Sequence, residues 1–270
     1  MVAPGLQINW NGIKGLSEAL ASSTSGVSSI YSYQTADKTW NDIESLRDGK
    51  AIFTQPSGVS VHLQAPLFLC SAIYLQIIKC AGAPQKIMWM AWDRFRRTGR
   101  SANISVDFYT GMPSMFSVKK YSDVLNALRE ERGLGGYFGH NLVSVDSQNH
   151  KATFQKTDGS TITTDYTMLH VTPPMGPLDS LKKSPIVDSA GWVEVNPATL
   201  QHAKPEFSNI WALGDASSLP TSKTAAAITS QTPVLVENLF SVMDTGEIPK
   251  AAYDGYTSCP VRILCYMNLT

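Results

Sequence analysis

Two cysteines lie in surroundings that suit redox chemistry. Cys80 is in the run KCAGAP, and Pro84 is well placed as the first residue of a helix because its missing N–H is not needed there. We expect the helix dipole to lower the pKa of the Cys80 thiol and so favour the nucleophilic thiolate. Cys259 is in the polar, glycine-containing loop YDGYTSCP, which predicts an exposed thiol. A packed structural cysteine at 80 and a surface thiol without a role at 259 are the alternatives.

The remaining cysteines give no sign of a scaffold or a metal site. The chain has four cysteines, which are too few and too scattered for a fold built on disulfides. Because no CxxC pair occurs, the spacing of a zinc half-site is absent and we predict no metal. Cys70 lies within an apolar run and Cys265 in a short tail, so neither is predicted to act. The cysteines are therefore interpreted as individual thiols.

A second group of residues predicts a ligand site at the end of a strand. An apolar strand is predicted from Asn209 to Leu213, and it ends at Gly214 and Asp215. Ligands bind at the carboxyl ends of strands in open α/β sheets, and glycine allows the backbone to approach a ligand closely. A helix predicted from about Lys223 to Met243 would point its free N–H groups at the same place, which suits the carbonyl edge of a flavin. The alternative is a turn and a capped helix without a ligand.

Alternating helices and strands surround these residues. Amphipathic helices are predicted at Thr39–Gly49, 84–98 and Val118–Glu131 from the spacing of their apolar residues. This order resembles the α/β unit of a nucleotide-binding domain with an attached β-meander. The predicted strands are Ala51–Thr54, Asn103–Tyr109, Leu142–Val145, Ala152–Gln155, Thr161–Thr164 and Tyr166–Val171.

Composition restricts the class of protein. The 270 residues include 22 Lys and Arg against 22 Asp and Glu, and 43% are hydrophobic. This apolar content is typical of a globular protein with a substantial core and excludes a disordered chain. The charge balance argues against a nucleic-acid partner, which requires an excess of basic residues. The first residues have neither the apolar region of a signal peptide nor the arginine-rich pattern of a transit peptide, so no targeting segment is predicted.

The apolar segment from Val59 to Ile78 is the least typical part of the chain. Its fully apolar portion is shorter than the ~20 residues of a membrane helix, and Pro66 and several polar residues interrupt it. A buried hairpin or helix is one interpretation, and a membrane-dipping segment is the other.

Several long motifs in this order resemble sulfide:quinone oxidoreductases of the mitochondrial type. The resemblance extends over most of the chain from Val2 onward, apart from residues 58–78 and the last ten. It rests on the motifs KCAGAPQKIMW (79–89), DYTMLHVTPPM (165–175), AGWVEVNPATLQH (190–202), NIWALGDASSLPTSKTAAA (209–227) and YDGYTSCP (253–260).

The resemblance implies an α/β fold, namely a partial two-dinucleotide-binding-domain, Rossmann-like flavoprotein fold with an attached β-meander. It divides the chain into a remnant of the FAD-binding domain (1–56), an apolar insert (57–79), a second Rossmann-like domain (80–200) and a return to the FAD-binding domain (201–270). FAD is the implied cofactor. Its implied contacts are Gly214, Asp215, Lys223, Thr224 and Ala225.

The resemblance also implies a reaction. In this family, hydrogen sulfide attacks a bridged pair of cysteines and leaves a persulfide on one, while the other thiolate attacks the flavin ring. Electrons pass through FAD to ubiquinone, and the persulfide sulfur passes to a small acceptor. Cys80 and Cys259 occupy the two matching positions. A mitochondrial enzyme peripherally associated with the inner membrane is implied.

Three departures from the family favour a second hypothesis. No GxGxxG fingerprint for the FAD pyrophosphate occurs, so we expect weak FAD binding. The chain is expected to be truncated at both ends, so that the FAD fingerprint in front and the membrane-anchoring region behind are missing. We also expect that the insert can displace Cys80 from Cys259. The alternative is therefore a truncated, non-catalytic fragment with at most a partner-binding role.

Overall fold

The structure is a computed structural model that describes residues 1–61, 73–75, 78–249, 251–262 and 268–269. The chain divides into two compact units. The sheet unit comprises Asn9–Tyr74, Gly82–Pro174 and Pro260–Thr270. The cysteine unit comprises Met1–Ile8, Leu75–Ala81 and Met175–Cys259.

The elements alternate along the chain, as an α/β fold requires. The strands are β1 (Gln7–Ile8), β2 (Val27–Ser28), β3 (Gly49–Gln55), β4 (Val59–Val61), β5 (Ile73–Leu75), β6 (Ile104–Thr110), β7 (Gly135–Phe138), β8 (His140–Asp146), β9 (Lys151–Lys156), β10 (Thr161–Asp165), β11 (Met168–His170), β12 (Met175–Gly176), β13 (Val261–Arg262) and β14 (Asn268–Leu269). The helices are α1 (Leu16–Ala21), α2 (Tyr33–Ser45), α3 (Ala83–Arg97), α4 (Lys119–Glu131), α5 (Asp179–Lys182) and α6 (Ala225–Thr245). Short 3₁₀ turns occur at Trp10–Gly12, Pro205–Phe207 and Gly214–Ala216.

A five-stranded parallel sheet forms the centre of the sheet unit, in the order β2-β11-β3-β6-β7. Successive side chains of a strand point to opposite faces, and β3 follows this rule. Ala51 and Phe53 belong to one buried cluster with Trp89 of α3, whereas Ile52 belongs to a second cluster with Phe154 of β9. Both faces of the sheet are therefore covered, as is typical of parallel sheets.

The antiparallel sheet β8-β9-β10 is the predicted β-meander. Helices α3, α4 and α6 lie within a few residues of their predicted bounds, and every predicted strand of the sheet unit is present. Two predictions differ from the structure. Helix α2 begins at Tyr33 rather than Thr39, because the hydroxyl of Ser32 accepts a hydrogen bond from the N–H of Gln34 and caps the helix there.

The second difference concerns the strand predicted from Asn209 to Leu213. Only two of its residues pair, Ala212 with Val2 and Trp211 with Gln201, each in an isolated bridge. A β-ladder needs successive paired residues, whereas Val2 and Gln201 each pair with a single residue of this segment. The prediction of a continuous strand is therefore wrong, although Trp211 is buried as expected for an apolar run.

The apolar insert lies mostly outside the described residues, and so do Cys70 and Cys265. The choice between a buried and a membrane-dipping segment therefore stays open. In the described part of the chain, the helices lack the combination of length and apolar character that crossing a membrane requires. The division of the chain into FAD-binding and second Rossmann-like domains stays a prediction.

Candidate active site

The cysteine unit brings Cys80 and Cys259 together. Their sulfur atoms are 3.2 Å apart, although 179 positions separate the two residues in the chain. A disulfide bond has a sulfur separation of about 2.05 Å, so a small displacement together with removal of two electrons and two protons by an oxidant would link this pair. Both residues are half-buried, which differs from the exposed position expected for Cys259. The predicted displacement of Cys80 by the insert is not seen in this arrangement.

Cys80 has an unusual backbone conformation. Its φ is 55°, in the left-handed region that side chains other than glycine, asparagine and aspartate rarely adopt. The N–H of Cys80 donates a hydrogen bond of 2.7 Å to the carbonyl oxygen of Lys223. Strained residues of this kind persist where surrounding contacts fix them, and they occur often at active sites.

The loop that carries Cys259 is held by hydrogen bonds of its own. The hydroxyl of Tyr253, a buried residue, donates to the carbonyl of Tyr256 at 2.6 Å. The carboxylate of Asp254 accepts a hydrogen bond from the N–H of Tyr256 at 2.9 Å. The loop is therefore ordered by side chains close in sequence to Cys259.

Gly214 and Asp215 form the start of a 3₁₀ turn in the same unit. Gly214 has a φ of 69°, and its N–H donates to the side-chain oxygen of Gln231 at 2.8 Å. Burial raises the pKa of Asp215, and the charges of Lys223 and Lys79 partly offset this effect. The Asp215 carboxylate accepts no hydrogen bond from the residues that the structure describes, so it is available to a ligand hydroxyl.

Lys223 connects several parts of the site. Its ammonium group donates to the carbonyl oxygens of Asp215 at 2.7 Å and Ser217 at 3.0 Å, and it lies 3.9 Å from the ring centre of Trp192. Burial lowers its pKa to about 8, while the charges of Asp215 and Asp188 act in the opposite direction. The side chain of Lys223 therefore makes its contacts within the protein, and the carbonyl group of Lys223 accepts a hydrogen bond from Cys80.

Helix α6 begins where the sequence predicts. Thr224 is its N-cap, with a hydroxyl that accepts the N–H of Ala227 at 3.0 Å. Ala225 is the first helical residue and is exposed. The first N–H groups of an α-helix have no partner within the helix, so this end is suited to an electron-rich group.

A small cleft lies beside Gly214, Asp215 and the start of α6. Its lining combines the N–H donors of a helix N-terminus with the Asp215 carboxylate, which accepts no hydrogen bond from the described residues, and with a glycine of positive φ. These groups fit the polar edge of a flavin ring and the hydroxyls of its side chain. The fit concerns this end of FAD, since the sequence has no GxGxxG motif for the pyrophosphate. The lining residues are Gly214, Asp215, Leu219, Thr221, Ser222, Lys223, Thr224, Ala227, Ile228 and Gln231.

Sequence reasoning missed several members of this site. Trp192 lies in a quoted motif but was assigned no role, and Gln231 and Tyr253 were not singled out as site residues. Their contacts depend on hydrogen bonds and a ring contact between distant parts of the chain, which spacing does not show. The one available signal is the place of Trp192 and Tyr253 in motifs of the resemblance, and Gln231 lies outside them.

Curated relatives of the chain are named mitochondrial sulfide:quinone oxidoreductase. The relatives from Dictyostelium discoideum and Schizosaccharomyces pombe are each 44% identical to it, and the one from Mus musculus is 41% identical, all over 97% of this chain. Each match covers 53% of the relative, so the chain spans about half the length of these proteins. No protein-family profile matches the chain. The predicted resemblance to this family is confirmed.

Solved structures show the same fold. A chain of the Tetrahymena thermophila mitochondrial ATP synthase assembly superposes with a TM-score of 0.71 at 24% identity, over 97% of this chain and 60% of that one. The sulfide:quinone oxidoreductase of Aquifex aeolicus gives 0.65 at 14% identity, over 90% and 53%. An FAD-dependent pyridine nucleotide-disulphide oxidoreductase from Desulfovibrio vulgaris gives 0.51 at 14% identity, over 88% and 53%. The predicted Rossmann-like α/β fold is confirmed.

Proposed function

We propose that this chain, similar along almost its whole length to sulfide:quinone oxidoreductases, oxidises hydrogen sulfide at Cys80 and Cys259 and passes the electrons through FAD to ubiquinone. The observation that carries the proposal is the 3.2 Å separation of the two sulfur atoms. The names of the relatives support the substrates, and the cleft beside Gly214 and Asp215 supports the cofactor.

The cysteine pair acts as a disulfide at the start of the reaction. Hydrosulfide attacks one sulfur, so the bond between Cys80 and Cys259 breaks and a new sulfur–sulfur bond forms. One cysteine then carries a persulfide and the other is a thiolate, which balances the atoms and the charge of the entering anion. A small nucleophilic acceptor takes the outer sulfur, and loss of two electrons and two protons from the dithiol restores the disulfide.

The residues assigned to FAD are Gly214, Asp215, Lys223, Thr224 and Ala225. When bound, FAD supplies the two-electron acceptor that the dithiol requires and the route to the quinone. Asp215 accepts hydrogen bonds from cofactor hydroxyls, and Gly214 lets the backbone approach it. The N-terminus of α6, at Thr224 and Ala225, stabilises negative charge on an electron-rich group.

Two lysines adjoin Cys80 through the backbone. Lys223 has a pKa of about 8, so it is largely protonated at neutral pH. Its carbonyl bonds to Cys80, and Lys79 precedes Cys80 in the chain. The proposal places the protein in the mitochondrion, peripherally associated with the inner membrane.

The proposed domain assignment follows from the same resemblance. Residues 1–56 and 201–270 belong to the FAD-binding domain, 80–200 to the second Rossmann-like domain, and 57–79 to the insert. The alternative function is a non-catalytic fragment with at most a partner-binding role. The specific observation in its favour is that these residues contain no GxGxxG motif.

A flavin spectrum with a matched pair of variants tests the proposal. The purified chain is titrated with FAD, then sulfide is added without air and the flavin absorbance is followed, with decylubiquinone as the later acceptor. We expect a protein-bound flavin spectrum that bleaches with sulfide and recovers with the quinone. Cys259→Ser should remove at least 99% of the rate of flavin bleaching, because loss of a nucleophile lowers a rate by roughly 10²-fold or more. The neighbouring Ser258→Ala should keep the wild-type rate.

Two results would count against the function. A colourless chain that gains no bound flavin at high FAD concentration supports the non-catalytic alternative. Bound flavin that sulfide reduces equally in the wild type and in Cys259→Ser removes the cysteine pair from the reaction while retaining the cofactor site.

A further inference from the structure

One short segment contacts the chain around both cysteines. Its residues are Ser222, Lys223 and Thr224, which precede helix α6. The carbonyl oxygen of Lys223 accepts the N–H of Cys80 at 2.7 Å. On the other side, Thr257, two residues before Cys259, has its hydroxyl 2.9 Å from the hydroxyl of Thr224 and 3.2 Å from the carbonyl oxygen of Ser222. The two thiols are thus positioned from a common anchor.

Counting hydroxyl protons defines the direction of these hydrogen bonds. The Thr224 oxygen accepts the N–H of Ala227 at 3.0 Å, and each threonine hydroxyl has one proton to donate. The carbonyl oxygen of Ser222 can only accept. All contacts are made when Thr224 donates to Thr257 and Thr257 donates to Ser222. Thr257 is then both an acceptor from the cap of α6 and a donor to the segment that holds Cys80.

The rest of the loop has independent anchors. Tyr253 is buried, its N–H donates to the carbonyl of Ala198 at 2.8 Å, and its hydroxyl donates to the carbonyl of Tyr256 at 2.6 Å. Loss of the Thr257 hydroxyl therefore leaves the loop attached at Tyr253. What it removes is a connection two residues before Cys259 in the chain.

We propose that Thr257 is a positioning residue whose hydroxyl sets the separation of the Cys80 and Cys259 sulfur atoms and thereby the stability of their disulfide. The inference rests on the proposed function in one respect, namely that this pair cycles between dithiol and disulfide. Thr257 contacts Thr224 and Ser222, and its role needs no contact with a reacting atom. It acts through the backbone that carries Cys259, which the Ser222–Thr224 segment keeps beside Cys80.

The equilibrium between dithiol and disulfide tests this role without FAD or sulfide. The full chain is equilibrated with buffers of reduced and oxidised dithiothreitol, quenched with an alkylating reagent and analysed by peptide mapping for the 80–259 bridge. Each lost hydrogen bond weakens a structure modestly, so for two bonds we expect the equilibrium constant for the bridge to fall about tenfold in Thr257→Val. For this two-electron couple, tenfold corresponds to a reduction potential about 30 mV less negative.

Two matched variants separate positioning from general stability. Thr257→Ser retains the hydroxyl and should restore the wild-type potential. Thr229→Val makes the same replacement at an exposed position of α6, where the threonine hydroxyl bonds only within the helix, and should leave the potential unchanged. An unchanged potential in Thr257→Val, or a shift of equal size in Thr257→Ser, would overturn the proposal.

A second probe keeps the two proposals distinguishable. Phenylarsine oxide binds two adjacent thiols at once, so its affinity reports their separation whether or not a disulfide forms. A wild-type chain that binds it but never forms the bridge contradicts the proposed function. In that case weaker phenylarsine oxide binding by Thr257→Val, about tenfold and rescued in Thr257→Ser, supports the positioning role, and equal binding by all three proteins overturns it.

Discussion

The sheet unit and the cysteine unit hold their shapes in different ways. In the sheet unit, β3 pairs with β6 at seven successive positions, and buried side chains cover both faces of the sheet. In the cysteine unit, Ala212 and Trp211 pair through single bridges, and individual hydrogen bonds position the thiols. Stability in the first unit is spread over many packed atoms, whereas geometry in the second depends on a few directional contacts. A substitution can therefore be costly for the fold and harmless to the site, or the reverse.

The largest expected effect is on packing in the sheet unit. Phe108 of β6 is fully buried within the cluster that contains Phe53 and Trp89. Phe108→Ala removes these contacts and leaves a cavity, so we expect the free energy of unfolding to fall by about 3–5 kcal/mol in urea denaturation. At urea concentrations at which Phe108→Ala is still folded, its equilibrium constant for forming the disulfide between Cys80 and Cys259 should equal that of the wild type.

Phe240 on α6 is the matched control for this change. Its side chain is 57% exposed, so Phe240→Ala should alter the free energy of unfolding by less than about 1 kcal/mol. If both variants lost a similar free energy of unfolding, the cost would come from removing any phenylalanine and not from disturbing the packing of the sheet, which would contradict this prediction.

A pH-dependent effect of intermediate size is expected at His170 in the same sheet. The imidazole is fully buried, its Nε2 accepts the N–H of Ile30 at 3.1 Å, and burial lowers its pKa to about 3. In the unfolded chain the pKa of a histidine is about 6.5. Between pH 6.5 and 3 the unfolded chain therefore binds a proton at His170, whereas the folded chain does not. The free energy of unfolding should therefore fall as the pH falls through this range, by up to about 1.4 kcal/mol per pH unit from this residue.

His170→Gln isolates that contribution, since glutamine retains a hydrogen-bond acceptor and does not titrate. Urea denaturation of both proteins at pH 7, 6, 5 and 4 measures it. The difference in stability between them should shrink or reverse towards low pH. Parallel pH curves for the wild type and the variant would contradict a neutral buried His170.

The smallest effect compares two glycines with positive φ, one in each unit. Gly214 and Gly99 have φ values of 69° and 71°, and an added Cβ would meet nothing closer than ordinary contact at either position. Gly214→Ala and Gly99→Ala should each lower the free energy of unfolding by about 1–2 kcal/mol, the cost of a left-handed alanine. Only Gly214→Ala should also weaken FAD binding in a fluorescence titration. Equal FAD affinity in the two variants would contradict the assignment of Gly214 to the cofactor.

The sequence predicted the elements of the sheet unit well because regular patterns specify them. The apolar spacing in α3, α4 and the strands around them reflects packing on a sheet, and packing follows periodicity. The same reasoning failed at Asn209–Leu213, where an apolar run is buried without forming a ladder. It also missed the start of α2, since the cap at Ser32 lies ahead of the amphipathic stretch.

The site shows a similar division. Motifs located Cys80, Cys259, Gly214 and Asp215 because each lies in a distinctive local string. The structure alone identifies the hydrogen bond from Cys80 to the carbonyl of Lys223 and the bonds of the Thr257 hydroxyl. These bonds join segments that are far apart in the sequence. Residue type and spacing identify chemical groups, whereas their relative positions arise from tertiary contacts that leave no local pattern.

If Cys80 acts as proposed, its left-handed backbone places stability and activity in opposition at one position. With a φ of 55°, glycine or asparagine would suit the backbone better than cysteine does. A substitution that relaxes the chain at this residue also removes the thiol. Screens that select for thermal resistance would therefore enrich inactive proteins at position 80, and a lineage released from the demand for the reaction would be expected to lose this cysteine early.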